Sequence, residues 1–224
     1  MHLPSRTLLL AAAILILGVL PAPHAARADD ANPNPQVRVT TNMGEFVIEV
    51  FADRAPLTAA NFLRYVREGF YSNVLIHRVV PNFVIQGGGY DATTQTLKPV
   101  HESIVNESGD GLQNKRGMVG LARSVQPHSG NSQFYVNLVD NPDLDPVANR
   151  WGYAVFGRVV QGMDVIDHIA ETATGAVGPF KQDAPLKPVI IESMTIVPPA
   201  TTTTPAPAVS KAPPAAADKA QSPK

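Results

Sequence analysis

This sequence predicts a mainly β fold, an antiparallel barrel or sandwich with helices packed at its openings, and three observations carry that reading. Short β-rich runs recur along the chain, only two well-separated stretches have helical periodicity, and strands do not alternate with helices as βαβ units require. Residues 37–51, VRVTTNMGEFVIEVF, alternate apolar and polar side chains on both sides of a turn through Gly44, which predicts a hairpin. Residues 54–71, RAPLTAANFLRYVREGFY, place Pro56 where a first helical turn favours it. They then repeat apolar residues at Leu57, Ala60, Phe62, Leu63 and Val66, and Gly69 is the stop signal. Strand patterning returns in VLIHRVV (74–80) and NFVIQGG (82–88), separated by a turn at Pro81-Asn82. Residues 90–113 are polar and weakly periodic, a long loop of the kind that is functional or mobile. GMVGLA (117–122), SQFYVNL (132–138) and GYAVFGRVV (152–160) read as further strands. GMDVIDHIAE (162–171) reads as a second, shorter helix and PVIIESMTIV (188–197) as a last strand.

The two ends of the 224-residue chain differ from this pattern. A short basic start with Arg6, an unbroken apolar run over residues 7–20 and an Ala26-x-Ala28 pattern have the layout of a signal peptide cut after Ala28. The alternative is an uncleaved anchor, but the run is shorter than the ~20 apolar residues that span a bilayer. Residues 1–28 are therefore read as a signal peptide directing the protein to the periplasm or outside the cell, with no membrane insertion after cleavage. Residues 29–36 are a short linker and residues 37–197 one domain. From residue 198 Pro, Ala and Thr dominate, with too little apolar surface to offset the entropy of ordering, so residues 198–224 are expected to be a disordered tail. Cleavage removes Arg6 and Arg27 and leaves 16 basic against 19 acidic side chains, a net charge of −3, which implies no nucleic-acid partner. The absence of cysteine excludes disulfides and a thiol nucleophile.

The chemistry concentrates in IHRVVPNFVIQGGG (76–89). It sets Arg78 among residues that read as buried strand, although a guanidinium is rarely buried without a partner. Gln86 follows in the next run, and Gln133 stands two residues before Tyr135 in LARSVQPHSGNSQFYV. Taken together, HRVVPNFVIQGG, GxxGLAR…SGNSQFYV and YAVFGRVVQGMDVI resemble the cyclophilins, the peptidyl-prolyl cis-trans isomerases. NESGDGLQNKRG and WGYAVFG bring the chain nearest the periplasmic members from Gram-negative bacteria. The resemblance covers essentially residues 37–197. It implies a closed eight-stranded antiparallel barrel capped by two helices, with an active groove on its outer face. Alternation along residues 78–86 is compatible with that, since groove and interior would take opposite side chains and Arg78 could stay charged with its stem packed.

The implied reaction is rotation about X–Pro bonds of proline-containing polypeptides, chiefly unfolded or folding envelope proteins, with no cofactor and no metal. At matching positions Arg78 and Gln86 would be catalytic. Phe83, Val84, Tyr135, Leu144 and Tyr153 would form the proline socket, backbone near Ala122 and Arg123 would hold the preceding residue, and Gln133 would lie beneath. The alternative is a non-catalytic proline-peptide-binding chaperone or adaptor of the cell envelope. Val84, Tyr135 and Tyr153 replace the methionine, phenylalanine and histidine usual in eukaryotic members. Asp143 aligns with the tryptophan that cyclosporin-sensitive members offer, so weak cyclosporin binding is expected. A closed barrel without a free edge makes monomer the default.

Other features have plainer readings. By alternation His77 faces away from Arg78 and is expected to be packed or hydrogen-bonded. His101, His128 and His168 lack ligand spacing, Ser132 lacks a hydrolase elbow, the glycines at 87–89 lack a phosphate-loop lysine, and Trp151 is taken as structural.

Overall fold

A computed structural model describes residues 34–197; the segments read as a signal peptide and as a disordered tail lie outside the described residues. Strands β1 (Gln36–Thr41) and β2 (Gly44–Val50) form the expected hairpin, with Gly44 at φ +129° and the Thr41 hydroxyl donating to the Gly44 carbonyl at 2.7 Å. Helix α1 (Pro56–Arg67) follows, then β3 (Val74–Val80), β4 (Val84–Asp91), β5 (Met118–Leu121), β6 (Phe134–Asn137) and β7 (Val155–Gln161). Helix α2 (Met163–Ala170), β8 (Thr174–Val177), β9 (Phe180–Pro185) and β10 (Val189–Val197) complete the domain. Eight strands close a barrel in the order β1-β10-β3-β4-β6-β5-β7-β2, so the expected eight-stranded antiparallel barrel with two helices is the architecture observed. Closure pairs every barrel strand on both sides and leaves the ladder no free edge.

The core runs through the barrel and under α1. Val37, Val39, Phe46, Ile48, Ile76, Val79, Ile85, Val119, Val136, Phe156 and Ile191 fill it with Phe62 from the helix. Of the five apolar positions read in α1, Phe62, Leu63 and Val66 are buried as expected, but the buried face is rotated from the one the five draw. Leu57 and Ala60 are exposed, whereas Thr58, Asn61 and Tyr65 are buried. Polar side chains can turn inward here because each has a partner. The Thr58 hydroxyl donates to Glu107 at 2.7 Å, Asn61 donates to the Asn131 carbonyl at 2.6 Å, and the Tyr65 hydroxyl accepts from the His101 amide at 2.9 Å.

Residues 90–113 were expected to form a functional or mobile loop; the first two belong to β4, and the rest lie in a strap over residues 92–117 that is tied at many points. The Glu107 carboxylate accepts from the amides of Leu57 and Thr58 at 3.0 and 2.7 Å. A residue some fifty positions away thus caps the positive end of α1, which has no capping side chain of its own. Two elements had no sequence expectation: a single 3₁₀ turn at Pro142–Leu144, and the hairpin of β8 and β9, which turns at Gly178-Pro179 and lies against β3 outside the barrel. Among the described residues no helix is long and apolar enough to cross a membrane.

Candidate active site

Arg78 leaves the barrel wall because β3 contains a bulge. Ile76 pairs with Gly87 and Arg78 with Gln86, so two residues of β3 answer one step of β4. Ile76 and Val79 both enter the core, and the two residues between them, His77 and Arg78, are set outside it. Strict alternation, which put His77 on the interior side, therefore fails at this point. His77 is packed, as expected, but against Tyr90 and Phe180, with ring centroids at 4.7 and 5.5 Å. Its ring is 8 % exposed and its Nδ1 makes no hydrogen bond.

Burial, reinforced by the neighbouring Arg78 charge, lowers the His77 pKa to about 4, against a weaker opposing pull from the Leu75 backbone. Because the folded-state value lies below the unfolded one, only the unfolded chain gains a proton at this residue between about pH 6.5 and 4. Its contribution is complete above pH 6.5 and is lost as pH falls through that window, on the order of 3 kcal/mol in all. Urea unfolding of the wild type and His77→Phe across pH 7.5 to 4 should show the wild type losing that much more stability. Parallel profiles for the two would reject the assignment.

The Arg78 side chain is about one-third exposed and touches three groups. Its Nη1 donates to Gln86 Oε1 at 3.4 Å, its Nε lies 3.7 Å from the Asp183 carboxylate, and its guanidinium stands 5.8 Å from the Phe83 ring centre. Gln86 Nε2 in turn donates to Gln133 Oε1 at 3.1 Å, which makes a chain of three side chains across β3, β4 and the start of β6. The glycines at 87–89 lie within β4, where neighbouring groups approach closely. A Cβ on Gly89 would lie 2.7 Å from the Gln133 side chain, and one on Gly87 2.9 Å from the Leu75 carbonyl.

The expected socket residues lie around this chain. The half-buried Phe83 has its carbonyl held by the Leu138 amide at 2.9 Å and by Asn141 Nδ2 at 3.0 Å. Tyr135, opposite Gln86 across the β4–β6 ladder, meets Tyr153 edge to face at 6.0 Å, and the Tyr153 amide donates to the Leu144 carbonyl at 2.9 Å. Val84 and Tyr135 are 3 % and 4 % exposed, so they form floor rather than wall, while Phe83, Leu144 and Tyr153 keep partial exposure. The Ala122 amide is committed to the Gln133 carbonyl at 2.9 Å.

Two features of the site were not read from the sequence. The first is a polar floor: the Tyr135 hydroxyl donates to Asn114 Oδ1 at 2.6 Å, and the Asn114 amide and Nδ2 both donate to Asp145 Oδ1 at 2.8 Å. A buried phenol needs such an acceptor, and burial raises its pKa so that it stays a donor. The second is the Arg123 side chain. It donates to the carbonyls of Gly152, Trp151 and Ser124 at 3.0, 2.8 and 2.9 Å and covers the Tyr153 ring at 4.4 Å. Trp151 itself is about half exposed and packs edge to face on His128 at 5.1 Å. Asp143 is exposed on the 3₁₀ turn. Among the described residues no cluster of His, Asp and Glu could hold a metal ion.

A fixed cation beside a shallow apolar surface can stabilise an electron pair developing on a bound peptide without forming or breaking a covalent bond. Comparison with known proteins agrees with that capacity. Residues 36–196 match the family described as cyclophilin type peptidyl-prolyl cis-trans isomerase/CLD. The chain is 48 % identical over 159 residues to peptidyl-prolyl cis-trans isomerase B of Escherichia coli, a match spanning 70 % of this chain and 96 % of that protein. It is 42 % identical over 184 residues to a peptidyl-prolyl cis-trans isomerase of Acinetobacter baylyi, covering 82 % and 94 %. A Cryptosporidium parvum cyclophilin-type isomerase, solved in the presence of the dipeptide Ala-Pro, superposes with a TM-score of 0.63 at 26 % identity, covering 73 % of this chain and 99 % of that one. By its barrel, its matched length and its curated relatives, this chain belongs to the cyclophilin-type peptidyl-prolyl cis-trans isomerases.

Proposed function

We propose that this isomerase accelerates X–Pro rotation in exported proteins while they fold, and that Arg78 carries the reaction. The observation that bears most weight is the Arg78–Gln86–Gln133 chain, which presents a guanidinium beside Phe83 on the outer face of the barrel. Amide resonance opposes rotation with a barrier of ~18–20 kcal/mol. In the twisted state the prolyl nitrogen becomes pyramidal and regains its lone pair, and a donor aimed at that pair stabilises this state over both planar ones. Arg78 serves as that donor, since a planar, permanently charged fork holds its direction better than an ammonium. The Asp183 carboxylate meets the guanidinium at Nε and Gln86 meets it at Nη1.

Gln86 steers the guanidinium and holds substrate backbone. Phe83, Leu144 and Tyr153 receive the proline ring over a floor of Val84 and Tyr135, the Ala122 and Arg123 backbone takes the preceding residue, and Gln133 braces Gln86. Export rests on the residue pattern of positions 1–28, a monomer on barrel closure, and weak cyclosporin binding on the acidic, exposed Asp143. The direct test follows the cis-to-trans exchange of a short Ala-Pro peptide with the purified protein at a catalytic concentration. Exchange well above the spontaneous rate, lost in Arg78→Ala, is the expected result. A groove that binds the peptide while leaving its exchange at the spontaneous rate would make the protein a proline-binding chaperone instead.

A further inference from the structure

We infer that Asp183 is a positioning residue for Arg78, and that the β8–β9 hairpin is thereby a working part of the groove. This deepens the arginine reading and rests on it. The Asp183 carboxylate faces Nε of the guanidinium at 3.7 Å while Gln86 takes Nη1 at 3.4 Å, so two different nitrogens of one planar group are held from two different strands. A long side chain restrained at one point can still swing, whereas restraint at two points fixes the plane and leaves the remaining donors directed at the substrate.

Three further observations set Asp183 apart from an ordinary surface acid. Its backbone is left-handed, at φ +59°, a conformation rare outside glycine and tolerated best by Asn and Asp. Side chains kept on unfavourable backbone cluster where their placement has a use. The hairpin that carries it is docked beside Arg78 by aromatic contact, with Phe180 stacked on His77 at 5.5 Å and edge-on to Tyr90 at 4.9 Å. The carboxylate is itself steadied by Gln182 Nε2 at 3.3 Å. Both members of the pair are about one-third exposed, so the contact adds little to stability. An effect on turnover without an effect on folding is the signature to look for.

The left-handed backbone provides a clean probe, because Asn occupies it as readily as Asp and Gly more readily. Asp183→Asn removes the charge at nearly constant shape, and Asp183→Gly removes the side chain. For an Ala-Pro peptide each should lower kcat about 3- to 10-fold with KM within about twofold, as expected when an interaction used only in the transition state is loosened. The melting temperature should move by no more than about 2 °C. Unchanged kcat in both variants overturns the inference. So does a kcat that rises, which would make the carboxylate an attenuator of the guanidinium, or a loss that tracks a fall in melting temperature or an equal rise in KM. Arg78→Ala measured alongside separates the two levels. If it leaves the rate intact, the arginine reading fails; if it abolishes the rate while both Asp183 variants match the wild type, only the present inference fails.

Discussion

Arg78→Ala is expected to lower kcat/KM for an X–Pro peptide by about 10²- to 10³-fold, the range seen when a single donor to a developing charge is removed from an enzyme site. Folding should be nearly indifferent to the change. The side chain is one-third exposed, lies outside the packed core, and its ion pair with Asp183 is of the kind that contributes at most about 1 kcal/mol. Arg78→Lys restores charge but not the fork. The Gln86 contact and the Asp183 contact fall on different nitrogens, and one ammonium cannot reproduce that arrangement, so recovery of no more than about a tenth of the lost rate is expected. Phe83→Ala should act through affinity, because its ring supplies contact surface rather than charge. Exchange measurements by NMR on the three variants, with melting temperatures for each, check the set. An Arg78→Ala protein that stays within twofold of wild type would remove the guanidinium from the mechanism.

The residues that make this site were largely readable as residue types, and their arrangement was not. Period-two alternation located the first hairpin, and strand-like patterning and short β-rich runs located the other six barrel strands, most of them bounded by a turn signal. What alternation cannot register is an inserted residue. One bulge between Ile76 and Arg78 places His77 beside Arg78 outside the barrel, where a strict alternation puts it inside. Helix α1 shows the same limit from another side. Its apolar positions mark Leu57 and Ala60 as core, yet the helix is turned so that Thr58, Asn61 and Tyr65 face inward, each satisfied by a partner distant in the chain. Asp183 left no mark that could be read alone. Gly178-Pro179 is a recognisable turn pair, but nothing in residues 174–185 says that the resulting hairpin folds back onto β3. The Tyr135 hydroxyl likewise implies a buried acceptor without naming Asn114, some twenty residues away.

Phe62→Ala should be the most damaging single truncation for stability and should leave the groove's chemistry intact. The ring is 1 % exposed, projects from α1 into the barrel, and lies 5.0, 5.5 and 5.8 Å from the rings of Phe156, Tyr71 and Phe134. Those three come from β7, the segment before β3, and β6, so no one of them can move into the space without disturbing its own strand or neighbours. Loss of a buried phenylalanine costs about 3–5 kcal/mol where the site cannot collapse. For a domain of this size that is a drop of roughly 6–20 °C in melting temperature, against a total stability of about 5–15 kcal/mol. Phe62→Leu retains much of the volume and should lose less than half as much. Because Arg78 and Phe83 lie on the opposite side of the wall from this cluster, kcat/KM measured well below the melting point should stay within about twofold of wild type. A shift in melting temperature under about 3 °C would mean that α1 is not seated in the barrel as described. A stable Phe62→Ala protein with a collapsed rate would mean that the helix and the groove are coupled through the wall, and that the groove is shaped by the core rather than by its own hydrogen bonds.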